Sequence, residues 1–163
     1  MISLKKLFDM QRTLDARIKE EHQLHNRTLF EEKVLALFVE LGELANETRC
    51  FKFWSKKPSA PEDIVLEEYV DGLHFILSIG IELGFEDKVV AEQPFKETTL
   101  VEQFQQLYAV IQEIREKKDV ESYQQVMTEF FILGKLLGFS VEQIELAYDA
   151  KNEVNHERQD SGY

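Results

Sequence analysis

Four acidic residues stand at spacings that allow chemistry. Glu40-Leu41-Gly42-Glu43 and Glu68-Tyr69-Val70-Asp71 each place two carboxylates at i and i+3, on one face of a helix, and Glu47 extends the first face by another turn. The intervening residues, 44 to 67, suit an antiparallel hairpin that sets the two pairs opposite each other. Both pairs are flanked by apolar residues: Leu41 and Leu44 on one side, Val70, Leu73 and Phe75 on the other. Four acids gathered beside a core repel one another and lose hydration unless something neutralises them. An oxygen-only ligand set favours a hard divalent cation such as Mg²⁺, which keeps some of its waters and binds substrate phosphates. A di-iron bundle would need Glu-x-x-His pairs, and neither motif has a His at i+3. The same spacing also fits a merely solvated acidic face, so the surrounding elements and the remaining polar residues have to discriminate.

Those elements are helices. Hydrophobic residues make up 44% of the 163, and with only 3 Pro and 7 Gly the composition disfavours a many-stranded sheet. The apolar period is helical almost throughout. A first helix is expected over about Ser3–His22, with Leu4, Leu7, Phe8, Leu14 and Ile18 on its stripe, and a second over about Thr28–Phe53. Ser55–Pro61 reads as a loop, followed by a third helix over about Glu62–Leu83 that stops at Gly84. A fourth helix carries Leu100 to Ile114, a fifth opens at Asp119 and ends at Gly138, and Ser140 with Gln143 forms a capping box for a sixth that reaches about Gln159. With no internal repeat and no long linker, residues 1–163 form a single all-α domain, a bundle of about six helices.

Bulk properties narrow the function. A net charge of −12 argues against a duplex nucleic-acid binder. No stretch is apolar for long enough to cross a membrane. The opening Met1-Ile2-Ser3-Leu4-Lys5-Lys6 runs into amphipathic sequence rather than a signal core. A single Cys, Cys50, suits a reducing cytoplasm; with no evident His–acid triad around it, it reads as a buried small residue.

Two further sets of polar residues sit where apolar ones would be ordinary. Gln11 and Asp15, four apart, lie on the apolar stripe of the first helix, where polar groups must be satisfied or serve a ligand. In the last helix Lys151, Asn155 and Arg158 share one face, adjoined by Tyr148 and Asn152; this is a poor core stripe and a good phosphate clamp. Arg49, Lys52, Trp54, Lys56 and Lys57 form a basic, aromatic patch after the second helix, a candidate entry site for a triphosphate, although Trp54 also suits a residue that covers the bundle end.

The ExxE, spacer, ExxD pattern resembles the signature of the all-α nucleotide pyrophosphohydrolase superfamily, which includes MazG-like enzymes and dimeric dUTPases. Nearly the whole chain is similar to the dimeric dUTPase branch. Gln11-Arg12-Thr13-Leu14-Asp15 matches its Gln-x-x-Leu-(Asn/Asp) segment, His74-Phe75 follows the ExxD acid as in that branch, and Tyr148 through Tyr163 matches its last motif, down to Arg158-Gln159 and Gly162-Tyr163.

The resemblance implies hydrolysis of dUTP to dUMP and pyrophosphate by attack of water on the α-phosphorus. Glu40, Glu43, Glu68 and Asp71 would hold Mg²⁺, with Glu43, or next Glu40, as the base for the water. Gln11 and Asp15 would read uracil, Gln11 offering one donor and one acceptor to its edge. Phe75 would stack on the base, His74 would hydrogen-bond the nucleoside, and Lys151, Asn155 and Arg158 would bind phosphates. It also implies a homodimer, for which the aromatic Phe104, Tyr108, Tyr123, Phe130 and Phe131 of helices four and five would supply surplus apolar surface. Two alternatives stay open at this level: a MazG-like pyrophosphohydrolase of other nucleotide preference, and a non-enzymatic helical interaction module.

Overall fold

A computed structural model describes residues 3–162; Met1 and Ile2 of the N-terminal segment and Tyr163 of the tail motif lie outside them. The described residues form six helices and no strand: α1 Leu4–Glu21, α2 Phe30–Thr48, α3 Glu62–Leu83, α4 Leu100–Lys117, α5 Val120–Leu136 and α6 Val141–Asp160. Local chemistry starts the later helices. Thr99 and Glu102 form a reciprocal capping box, Asp119 accepts from the Ser122 N–H, and Ser140 with Gln143 forms the expected box. Gly84, with φ 77°, ends α3 in the left-handed region that glycine adopts without strain.

The centre of the bundle is α3, which packs against α1, α2, α5 and α6. Its near-continuous apolar sequence leaves Val65, Tyr69, Val70, Leu73, Ile76, Leu77 and Ile79 buried on several sides. The α2–α3 and α4–α5 hairpins meet through α2 and α4, and α1 lies beside α6. Two tyrosines tie α3 to α5: the Tyr69 hydroxyl donates to the Phe130 carbonyl at 2.9 Å and the Tyr123 hydroxyl to the Ile76 carbonyl at 2.7 Å. Tyr69 crosses where Gly134 has no side chain, and a Cβ there would clash with its hydroxyl. The site residues thus ride on helices whose mutual positions are set by buried packing.

Two sequence expectations need correction. The second helix ends at Thr48 rather than near Phe53, because Arg49 takes a left-handed conformation, φ 60°, and the chain peels into a loop that returns with the Ala60 N–H on the Glu47 carbonyl. Phe104, Tyr123, Phe130 and Phe131 leave no surplus surface, since all four are buried within the one chain and Tyr108 stacks on Phe38. The most exposed apolar residues lie elsewhere and are scattered: Leu35 on α2, Phe53 and Trp54 on the following loop, Phe95 before α4 and Leu146 on α6, with Val39 half exposed beside Leu35.

Candidate active site

One cavity, about 260 Å³, gathers most of the residues singled out above: Gln11 and Asp15 from α1, Glu40 from α2, Asp71, His74 and Phe75 from α3, and Asn155 and Arg158 from α6, with Ser78 joining them. Its two ends have different chemistry.

At the first end, carboxylate oxygens of Glu40, Glu68 and Asp71 all lie within 4.8 Å of one another. The three half-buried acids come from the two helices of the α2–α3 hairpin, Glu40 from α2 and Glu68 and Asp71 from α3. Glu40 Oε2 and Glu68 Oε2 are buried with no hydrogen-bond partner. Burial, followed by repulsion from Asp71 and Glu43, pushes Glu40 up to about 8; the same two causes push Glu68 up to about 7. Asp71 is raised by burial and pulled back by Lys151. Orphaned hard oxygens and like-charge crowding are what a divalent cation relieves, so the donor set fits one. Glu43 does not join the trio: it is exposed, one turn along α2, and shares a shallow depression with Glu47 and Glu68.

Lys151 is buried, its ammonium 3.1 Å from Asp71 Oδ1 and 3.0 Å from Glu67 Oε1. The phosphate clamp expected from the tail is therefore tied into the acidic end. Asn155 is half-buried and Arg158 exposed, with Arg158 Nη1 3.5 Å from Asn155 Oδ1, and both line the cavity.

The second end is a buried network. Gln11 Nε2 donates to Asp15 Oδ1 at 2.9 Å, and the Ser78 hydroxyl donates to Asp15 Oδ2 at 2.8 Å. The Gln11 carbonyl accepts from the Tyr148 hydroxyl at 2.8 Å and from His74 Nδ1 at 2.6 Å. Because that oxygen only accepts, the hydrogen of His74 sits on Nδ1. Burial, with Lys151 nearby, holds the ring far below its usual range, at about 3, so it is neutral. Asp15 is raised by burial, an effect opposed first by Lys33, whose ammonium lies 4.0 Å away and bonds Glu82 at 2.9 Å. The acceptor expected of Gln11 is occupied in this geometry. Its carbonyl is taken twice, and the free N–H of Gln11 stands beside the Asp15 carboxylate as an adjacent donor–acceptor pair.

Sequence reasoning missed Ser78, Lys33, Glu82 and Glu67. Ser78 and Glu82 were within reach, because Asp71, Phe75, Ser78 and Glu82 continue one helical stripe at steps of three and four. Lys33 and Glu67 carry no such signal; each is defined by a partner on another helix. The Arg49–Lys57 patch stands apart from the cavity lining. There Arg49 Nη2 donates to Ser55 Oγ at 2.7 Å, and Trp54, largely exposed, packs edge-on to Phe51 and Phe53 rather than covering the bundle end.

The family model described as dUTPase matches residues 3–163 of the chain. No curated protein matches it.

Proposed function

Since the chain belongs to the all-α dUTPase family and is a dUTP diphosphatase with a divalent-metal requirement, we propose that Glu40, Glu68 and Asp71, supplemented by Glu43, hold Mg²⁺ and that the second end of the cavity reads the nucleoside. The single observation that carries this reading is the convergence of three carboxylates, two of them with orphaned buried oxygens, at one end of a cavity whose other end holds the Gln11 N–H beside the Asp15 carboxylate. When bound, the cation supplies neutralisation of the phosphate charge and a lower pKa for attacking water.

The chain's own residues supply the rest. Glu43, exposed beside the trio, orients the water and takes its proton as oxygen bonds to the α-phosphorus; Glu40 is the second choice for that role. The bond from the α-phosphorus to the bridging oxygen breaks, and pyrophosphate leaves. Lys151 and Arg158 place positive charge around the phosphate oxygens, with Asn155 as a neutral donor. Gln11 donates its remaining N–H to a uracil carbonyl, and Asp15 accepts the ring N–H. A cytosine in this place would set donor against donor and acceptor against acceptor. Phe75 stacks on the base.

The test is pyrophosphate release from each deoxynucleoside triphosphate and from UTP, with and without chelator. Turnover of dUTP alone, lost in chelator and restored by Mg²⁺, is expected; full turnover in chelator overturns the metal assignment.

Two coarser features complete the proposal. The exposed Leu35 and Val39 of α2 join two protomers in a homodimer, so light scattering should give about twice the chain mass of 19.1 kDa. No helix among the described residues is long and apolar enough to cross a membrane, and together with the single free Cys50 this favours a cytoplasmic enzyme acting on a nucleotide rather than on a membrane or nucleic acid.

A further inference from the structure

His74 has one ring nitrogen accounted for and one not. Nδ1 donates to the Gln11 carbonyl, while Nε2, on the far side of the ring, is buried with no hydrogen-bond partner. The ring is held on both sides, stacked at 4.3 Å on Tyr148 and locked through Gln11, so it cannot turn Nε2 toward solvent without breaking the network. A buried acceptor without a donor is costly, and when it belongs to a residue lining a binding cavity the missing donor is expected from the ligand.

The position of His74 along α3 says which donor. Attack on the α-phosphorus beside the carboxylate trio, as proposed above, puts the α-phosphate level with Asp71, and Asp15, held by Ser78 at 2.8 Å, marks the level of the base edge. Three residues of helix, about 4.5 Å, separate Asp71 from His74, and seven residues, about 10 Å, separate Asp71 from Ser78. His74 is therefore level with the sugar that joins phosphate to base. The deoxyribose of dUTP carries a single hydroxyl there, at the 3′ carbon.

We propose that His74 Nε2 accepts a hydrogen bond from the 3′-hydroxyl of the substrate, so that the enzyme selects nucleotides bearing a free 3′-OH and rejects 3′-deoxy analogues. The inference rests on the nucleotide orientation given under the proposed function. The acceptor is built into the resting protein: the Tyr148–Gln11–His74 chain fixes the tautomer before substrate arrives. A 3′-deoxy sugar leaves Nε2 buried and unpaired, and a site built to hydrogen-bond a hydroxyl discriminates strongly against the analogue that lacks it.

The experiment compares kcat/KM for dUTP and 2′,3′-dideoxyuridine triphosphate in wild type, His74→Asn and His74→Gln. Asn places an amide N–H near the Nδ1 position and has nothing at Nε2; Gln reaches the ε position with its carbonyl. Wild type should favour dUTP by about 10- to 100-fold. His74→Asn should bring the two substrates to within about twofold by losing activity on dUTP alone, and His74→Gln should restore part of the preference. Three results would overturn the proposal: no preference in wild type, equal losses on both substrates in His74→Asn, or a His74→Asn change in the dUTP to dCTP ratio with the 3′-deoxy ratio intact, which assigns Nε2 to the base. The wild-type comparison stands even if a variant fails to fold. Absence of pyrophosphate release from dUTP would instead sink the underlying reading.

Discussion

The two ends of the cavity treat polar atoms in opposite ways. At the acidic end, Glu40, Glu68 and Asp71 crowd like charges together and leave two buried oxygens without partners. At the end proposed to bind the nucleoside, Gln11, Asp15, Ser78, Tyr148 and His74 Nδ1 are linked in a chain of hydrogen bonds that leaves His74 Nε2 as its unpaired atom. On the proposed assignment a cation and phosphates complete the first arrangement. On the proposed assignment the second is already organised to receive a neutral base. The acidic end therefore costs stability that ligand binding returns, whereas the nucleoside end contributes stability and selectivity together.

The largest expected effect breaks the acidic end. Asp71→Ala should lower dUTP turnover by about three orders of magnitude, the scale of losing several kcal/mol of charge stabilisation, and equally for every nucleotide, with helicity by circular dichroism unchanged. Glu40→Gln should abolish turnover as well, yet raise the melting temperature in chelator, because an amide carries neither the crowding of a charged carboxylate nor the cost of protonating one on folding. A lower melting temperature would show that the trio is not strained.

Gln11→Ala should have the opposite signature. It strips the acceptor from the Tyr148 hydroxyl and from His74 Nδ1, so it should destabilise the protein by about 1–3 kcal/mol, and the preference for dUTP over dCTP should fall by about 10- to 100-fold. An unchanged ratio of catalytic efficiencies would make Gln11 a purely structural residue.

Smaller, and continuous with pH, is the linkage of stability to the raised carboxylates. Glu40 and Glu68 titrate at about 8 and 7 when folded, against an ordinary 4.5. Between those values the folded protein holds more protons than the unfolded chain, so this contribution is full below about 4.5 and is lost as pH rises through 8. His74 acts in the other direction: its folded value of about 3 against 6.5 means that stability is lost as pH falls below 6.5. Melting in chelator should therefore weaken from pH 5.5 to 8.5, and Mg²⁺ should remove that slope, since protons and cation compete for the same oxygens. Parallel curves with and without Mg²⁺ would separate the trio from the metal.

The least effect is expected from Arg158→Ala. The side chain is exposed where it lines the cavity, so KM should rise about tenfold or less, alike for all triphosphates. A change confined to dUTP would place Arg158 on the nucleoside instead.

Much of the fold was legible because it is local. The helical period, the Ser140–Gln143 box, the Asp119 cap and the left-handed Gly84 depend on residues within four positions of one another. The end of α2 was not, because Arg49 enters the left-handed region with no glycine or proline to announce it, in a loop closed by the Glu47–Ala60 bond.

For the site, the sequence by itself determined the donor types and the helix faces: i, i+3 spacing puts Glu40 with Glu43 and Glu68 with Asp71, and Gln11 with Asp15 on an apolar stripe. Only the tertiary structure decided which of those atoms meet. The rotation of α2 against α3 brings Glu40 to Glu68 and Asp71 and leaves Glu43 exposed. The approach of α6 to α3 turns Lys151 onto Asp71. The Tyr148 hydroxyl and His74 Nδ1 converge on the Gln11 carbonyl and occupy it, which leaves Asp15 as the adjacent acceptor. Spacing within one helix fixes angles about that helix alone; the distances between helices follow from how the buried side chains of all six pack around α3.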